Sequence, residues 1–270
     1  MNDNLLIDAT FNVFGMVGNP VSQTQTPSLF NQYCRVNNHA AVMVPFKLSG
    51  KPALEDLIQM MKDSQFLSGF VSTIPFKANL YDICDIHGPA AAALGKVNTV
   101  KISTAGQVVG EMFDGIGFVE ALNSKKFSYS DAKCLVIGCG AAGQAIALEL
   151  IRNGISNCTI IDTNAAALNH LKNIMSSKTD SYELSQVLPA DLAKFDLIIN
   201  ASPLGMLPDD PLPCDLSGIS ADCFVGDCVT NFETTAFLKA ARGKGCPIIT
   251  GADMANGQLM SILKFFGVSE

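Results

Sequence analysis

Charge is scarce in this chain, and basic charge is the scarcer sign. Charged residues make up 16% of the 270, with Lys+Arg 18 against Asp+Glu 25 and a formal net charge of −7. A protein that reads nucleic acid carries a basic stripe, whereas the densest basic spot here is the pair Lys125-Lys126. The same balance argues against attraction to an anionic membrane surface. No run approaches the ~20 apolar residues of a membrane span. The opening MNDNLLIDAT lacks the basic segment and long apolar run of a signal peptide. These absences predict a soluble, cytoplasmic protein with neither nucleic-acid nor membrane partners.

Signals for metal or nucleophile chemistry are equally thin. The three histidines, His39, His87 and His170, lie far apart and none sits in an HExxH pattern. The cysteines number nine, an odd count, and no CxxC occurs; Cys134/Cys139 and Cys223/Cys228 each have four residues between them. Cys134 in AKCLVIG and Cys158 in NCTIID stand inside apolar runs, where a thiol packs as a small hydrophobe. The expectation is reduced core thiols and no metal site.

What the chain does have is apolar material, 48% of its residues, in a length that suits one large domain or two ordinary ones. Strand-like runs occur at Phe11-Gly18, Ala40-Phe46, Gly69-Ile74, Val97-Ile102, Cys134-Gly138, Cys158-Asp162, Asp196-Asn200, Cys223-Gly226 and Pro247-Thr250. Helical patterns alternate with them at Pro27-Val36, Leu54-Lys62, Gly143-Arg152, Ala165-Met175 and Thr235-Arg242. In the second of these, Leu54, Leu57, Ile58 and Met61 fall at i, i+3, i+4 and i+7, one face of a helix. Such alternation predicts an α/β fold, with mostly parallel sheet covered by helices on both faces. A polar break at Asn123-Asp131 divides it into two halves.

The sharpest local signal is KCLVIGCGAAGQAIALELIRNG. Gly138-x-Gly140-x-x-Gly143 follows an apolar strand and opens a helix. The first glycine permits a tight turn, the second lets backbone approach a pyrophosphate, and the third allows close helix-strand contact. The helix N-terminus adds N–H donors and partial positive charge for phosphates. Gly138, Cys139, Gly140, Ala141, Ala142 and Gly143 are therefore read as a cofactor-binding loop. Nineteen residues past Gly143, Asp162 ends the next strand, where a carboxylate accepts from both ribose hydroxyls of an adenosine. It would repel a 2′-phosphate, and Thr163, Asn164 and Ala165 supply no arginine. The reading is NAD, with NADP second. A plainer role for Asp162 is to cap the following helix, which Asn164 could do as well.

Seven blocks then occur in one order: GNPVSQTQTP (Gly18-Pro27), GFVSTIPFK (Gly69-Lys77), GKVNTV (Gly95-Val100), GEMFDG (Gly110-Gly115), GCGAAG, NASPLGM (Asn200-Met206) and GADMANGQ (Gly251-Gln258). Together they resemble the shikimate/quinate dehydrogenase family over nearly the whole chain. The resemblance implies an N-terminal α/β substrate domain, residues 1–110 plus 235–270, and a Rossmann dinucleotide-binding domain, residues 111–234. It also implies a last helix, Asp253-Phe266, that returns to the first domain. The implied activity is reversible hydride transfer between NAD(P) and a ring hydroxyl of a small cyclic hydroxy-acid, shikimate, quinate or a relative, as in aromatic amino-acid biosynthesis. The chain would work as a monomer or homodimer. By the same resemblance Lys77 and Asp114 are the catalytic pair. Thr24, Thr26, Thr73, Asn98 and Gln258 bind substrate with them, the two threonines standing where the family has serines for the carboxylate. Ala201, Ser202, Cys228, Gly251 and Met254 line the cofactor.

The chain also departs from the family's pattern. Val71 replaces an asparagine, Gln23 a histidine, Met112-Phe113 an Asn-Thr pair, and Thr230 a tyrosine. An unpaired buried polar group costs ~1–3 kcal/mol, so these apolar exchanges point to a less hydroxylated ring acid. Several of the site residues also have a plainer role. Lys77 in PFKANL could be an exposed lysine at a helix start. Thr24 or Thr26 could cap the helix at Pro27, Gln258 could be solvated, and Asn98 could pair with backbone across strands. The alternative function is a dinucleotide-binding regulatory protein that kept the fold and lost turnover. A folate-interconverting dehydrogenase is a third reading, disfavoured by GNPVSQTQTP and GADMANGQ.

Overall fold

The computed structural model describes residues 7–64, 66–175 and 182–269; residues 1–6 of the opening stretch lie outside them. The chain begins with β1 (Asn12–Gly18), α1 (Thr26–Val36), β2 (Ala41–Lys47), α2 (Lys51–Ser64) and β3 (Gly69–Ser72). It continues through α3 (Lys77–Ile83), β4 (Ile86–His87), α4 (Pro89–Leu94), β5 (Thr99–Ile102) and β6 (Val108–Glu111). These strands form one sheet in the order β2-β1-β3-β5-β6-β4. Strand β1 is parallel to β2 and β3, while β5 runs antiparallel to β3 and β6. This sheet is therefore mixed. Helix α2 buries Leu54, Leu57, Ile58 and Met61, the face its spacing predicts.

The second half runs α5 (Asp114–Ser124), β7 (Lys133–Ile137), α6 (Ala141–Arg152), β8 (Asn157–Ile161), α7 (Ala165–Met175) and β9 (Tyr182–Ser185). Then come β10 (Leu197–Asn200), β11 (Phe224–Asp227), α8 (Ala236–Gly243), β12 (Ile248–Ile249) and α9 (Gly251–Phe266). Its sheet is parallel throughout, in the order β12-β11-β10-β7-β8-β9. The order reverses between β7 and β10, the doubly wound arrangement in which ligands bind beyond the carboxyl ends of the strands at the reversal.

Two compact units result: residues up to Phe113 with those from Leu259 on, and Asp114–Gln258. Residues 235–258 thus fall in the second unit and 111–113 in the first, each opposite to where the resemblance assigns them. For 235–250 the reason is sheet pairing: β12 extends the parallel sheet beyond β11, and α8 packs on both strands. The final turns of α9 do belong with the first sheet. Phe266 stacks on Phe14 with ring centroids 4.5 Å apart, and a Cβ on Gly69 would fall 2.7 Å from the Phe266 ring.

Helix α5 carries no clear period, and its residues are buried on nearly every side. It also holds Gly115 and Gly117, which are poor helix formers. The structure shows what they do. A Cβ on Gly115 would strike the Ala145 carbonyl, and one on Gly117 would lie 2.6 Å from the Met254 carbonyl oxygen. These glycines let α5 press against α6 and the first turns of α9. Phe118, on the same helix, fills the space left by Gly226 of β11.

The cysteines behave as core residues. Cys34, Cys84, Cys134, Cys158, Cys214, Cys223 and Cys246 are buried and in no disulfide. Burial pushes the Cys84, Cys214 and Cys223 thiols up to about 12, which keeps them protonated. Among the described residues no helix is long and apolar enough to cross a membrane, and no group of three His, Cys, Asp or Glu is placed to hold a metal.

Candidate active site

In the second unit the glycine loop follows β7 and turns at Gly138, where φ is +105°. A Cβ there would meet the Ser202 N at 2.6 Å and the Ala201 carbonyl at 2.7 Å. The loops after β7 and β10 are therefore in contact at the reversal, and Ala201 and Ser202 lie beside the glycine loop. A Cβ on Gly143 would strike the Gly138 carbonyl, so this glycine sets the helix-strand approach. Gly140 caps α6 without a side-chain bond, and a Cβ there would meet nothing within 4 Å. Protein packing does not demand a glycine at 140. An incoming phosphate does, because backbone must come close to it. The residues present fit a dinucleotide.

These contacts separate two effects by experiment. Gly143→Ala should destabilise the fold by ~1–3 kcal/mol, the range for overpacking, read as a lowered Tm. Gly140→Ala should leave Tm unchanged and weaken dinucleotide binding. Equal Tm values for the two variants would contradict this division of roles.

Asp162 is not the cap of α7. Asn164 Oδ1 accepts from the Ala166 and Ala167 N–H groups at 3.0 and 3.4 Å and does that work. Asp162 Oδ2 instead accepts from the Cys139 N–H at 2.6 Å, and Oδ1 from the Asn164 N–H at 2.8 Å. The carboxylate thus sits directly beside the glycine loop. Gln144, buried on α6, donates to the Cys139 carbonyl at 2.8 Å, and its Oε1 lies 3.3 Å from His170 Nδ1 on α7. Sequence reading missed this tie, since a glutamine inside a helix carries no signal of its own. Across the sheet, a Cβ on Gly251 would meet Thr230 Cγ2 and the Val229 carbonyl at 2.7 Å, and the Cys228 carbonyl at 3.1 Å. Gly251, Cys228 and Thr230 are therefore neighbours. Met254 and Gln258 follow Gly251 on α9; both are buried, so Gln258 is not a solvated side chain.

In the first unit three of the predicted substrate residues gather at the carboxyl end of β3. The Ser72 N–H donates to the Asn98 carbonyl at 2.6 Å, and the Val97 N–H donates to the Lys77 carbonyl at 2.9 Å. Thr73 bonds through its N–H to Val17 O at 2.8 Å, which joins this cluster to the end of β1 and the loop bearing Thr24 and Thr26. Lys77 does open a helix, α3, but it is half-buried there. Neither threonine caps α1. Thr26 is its first residue, and Gln25 in the cap position makes no side-chain bond. The Thr24 hydroxyl donates to the Val21 carbonyl at 2.8 Å, within its own loop. Asn98 does pair with backbone, its Oδ1 accepting from the Phe113 N–H at 3.0 Å.

The departures Val71, Met112 and Phe113 lie in the first unit, while Thr230 lies in the second. Val71 and Met112 are buried almost completely, and Phe113 packs edge-on against Phe265 at 5.6 Å. Asp114 is the first residue of α5 in the second unit and is 3% exposed.

Comparison with known proteins agrees with this construction. Residues 16–100 match the family described as the shikimate dehydrogenase substrate binding domain, and residues 121–204 match shikimate / quinate 5-dehydrogenase. The shikimate dehydrogenase (NADP(+)) of Methanococcus aeolicus is 31% identical over 253 residues, covering 92% of this chain and 89% of that one. The crystal structure of shikimate dehydrogenase from Aquifex aeolicus superposes with a TM-score of 0.87 at 25% identity, covering 98% of this chain and 96% of that one. A shikimate dehydrogenase solved in complex with NADP+ gives a TM-score of 0.86 at 28% identity, over 98% and 93% of the two chains. The chain belongs to the shikimate/quinate dehydrogenase family.

Proposed function

We propose that this protein is a dehydrogenase that moves a hydride between NAD and a ring hydroxyl of a shikimate-like cyclic hydroxy-acid. The observation that carries the dinucleotide half is Gly140, a glycine with open space around it at the crevice of a doubly wound sheet. Family membership carries the substrate class. A bound nicotinamide supplies the hydride acceptor or donor; the chain's own residues do the rest. Lys77 takes the hydroxyl proton on oxidation and returns it on reduction, which requires a base within hydrogen-bond reach. Asp114 accepts a hydrogen bond from a ring hydroxyl and orients it. Thr24 and Thr26 donate to the substrate carboxylate, with Thr73, Asn98 and Gln258 binding the ring.

For the cofactor, relatives bear NADP(+) in their names. Against that stands Asp162, a carboxylate beside the glycine loop with no arginine in the three residues after it. The experiment that tests the whole reading is reduction of NAD and of NADP over a panel of hydroxylated cyclohexane and cyclohexene carboxylates. No turnover on any member, with the dinucleotide still bound, would favour the regulatory alternative.

Within that panel shikimate itself should be a poor substrate. Val71 and Thr230 stand where the family resemblance puts two polar partners for the ring. Each lost neutral hydrogen bond is worth ~0.5–1.5 kcal/mol, so two lower kcat/KM by about 5- to 150-fold. Val71→Asn combined with Thr230→Tyr should recover part of it. A wild-type kcat/KM for shikimate of ~10⁶ M⁻¹s⁻¹ or more would overturn the divergence in substrate and leave a plain shikimate dehydrogenase.

A further inference from the structure

Asn200 and Asp227 end the adjacent strands β10 and β11, and neither has any exposed surface. Asn200 Nδ2 donates to Asp227 Oδ1 at 3.0 Å and to the Leu204 carbonyl at 2.8 Å. Its Oδ1 accepts from the Ser202 N–H and hydroxyl at 3.1 and 2.6 Å. Asp227 Oδ1 also accepts from the Val229 N–H at 3.0 Å, and Oδ2 accepts from the Thr235 hydroxyl at 2.6 Å. Thr235 in turn caps α8, accepting from the Leu238 N–H at 3.3 Å. One buried carboxylate therefore fastens two backbone turns, 200–204 and 227–229, and ties them to α8.

The proton and hydride chemistry proposed above makes no use of Asp227. Yet the two turns it fastens carry Ala201 and Ser202 on one side and Cys228 on the other, residues that the family resemblance sets against the dinucleotide. A buried carboxylate is costly, and an apolar residue would fill the same space. What an apolar residue could not do is hold both turns at once.

We propose that Asp227 is a positioning residue for the dinucleotide: through Asn200 and the Val229 N–H it sets the two turns, so that cofactor affinity follows the charge on this carboxylate. The proposal rests on the dinucleotide reading and extends it. Burial pushes the Asp227 carboxyl up to about 6, and its three donors hold it down from going higher. The neighbouring strands present Leu197, Ile198 and Ile199 on β10 and Ile248 and Ile249 on β12. Cys228 adjoins it in the chain, while Glu233 before α8 and Lys239 and Arg242 on it are exposed. The charge is thus met by hydrogen-bond dipoles. When ionised, Asp227 accepts every one of these bonds with charge assistance, which makes them roughly twice as strong as neutral ones. When protonated, Oδ2 becomes a donor, Thr235 must turn to accept from it, and the hold on Asn200 and Val229 slackens.

The effect on folding has the opposite sign. A carboxyl whose pKa is raised by folding takes its proton in the native state first, so the native state gains from it as pH falls and loses as pH rises through about 6. Acidification should therefore weaken NAD binding without this group weakening the fold. General damage would move both together.

The test is calorimetric NAD affinity, with Tm, from about pH 7.5 to about pH 5.5. Wild type should lose roughly 2- to 3-fold in affinity: the gap between a charge-assisted and a neutral hydrogen bond is about 5- to 10-fold, and a carboxyl titrating at about 6 is only partly protonated at pH 5.5. Asp227→Asn should bind weakly at both ends of the range with little pH dependence, and unfold no earlier than wild type at neutral pH. This variant leaves Asp162 and His170, titratable groups tied to the glycine loop, in place. Thr235→Val, which removes the Oδ2 donor, should move the wild-type midpoint upward, and Thr235→Ser should restore it. Asp227→Asn with wild-type affinity, or with the wild-type pH profile, overturns the proposal. If that variant does not fold, an unmoved midpoint in Thr235→Val overturns it instead. Wild type that binds NAD with no pH dependence defeats the positioning role alone; wild type that binds neither dinucleotide defeats the functional reading beneath it.

Discussion

Lys77→Met should lower turnover by ~10²–10⁴, the usual contribution of a general acid-base group, while NAD affinity stays at the wild-type value. The two readouts part because the glycine loop and Asp162 belong to the second unit and Lys77 to the first. Methionine keeps much of the stem's apolar packing at this half-buried position and removes the amine. The loss should therefore appear in kcat with little change in Tm. Asp114→Asn removes the orienting charge and should raise KM as well as lower kcat. A Lys77→Met enzyme that retains full rate ends the catalytic assignment of this residue.

NAD should bind more tightly than NADP by ~1.5–3 kcal/mol, the range for hydrogen bonds to a charged group, or about 10- to 150-fold. The expected cause is Asp162, a carboxylate that would accept ribose hydroxyls and repel a phosphate in their place. Asp162→Ser should narrow the gap, chiefly by relieving that repulsion. The variant also removes the bonds from Cys139 and Asn164, so NAD affinity should fall while NADP affinity rises or holds. Dissociation constants for the two dinucleotides that agree within a factor of two in wild type would sink this preference. The NADP(+) named for relatives would then describe this chain as well.

The parts of the fold that were legible in sequence are those in which local pattern and burial coincide. The strand, glycine turn and helix of β7 and α6 could be read because each glycine has a local consequence: a positive φ at Gly138 and a close helix approach at Gly143. Helix α2 could be read because its single buried face repeats every third or fourth residue. Strands β4 (IH), β6 (VVGE) and β9 (YELS) were not legible, because none carries the apolar run that marks β10 or β12. Helix α5 was hidden by its burial on nearly every side and by its glycines.

For the site, the sequence alone named the candidate side chains, because the seven blocks specify residue types at fixed spacings. Its composition also pointed away from basic-surface and metal chemistry. Only tertiary structure decided which of those side chains are already engaged, because hydrogen bonds between distant segments leave no trace in spacing. Asn98 is held by Phe113, fifteen residues away, and Asp162 by Cys139, twenty-three away. Tertiary structure alone also assigned residues 235–250 to the second sheet, since strand pairing, unlike helix periodicity, is settled by partners remote in the chain. The Asn200–Asp227–Thr235 cluster has the same origin. Each of its members is unremarked in its own segment, and what joins them is that parallel strands bring their carboxyl ends side by side.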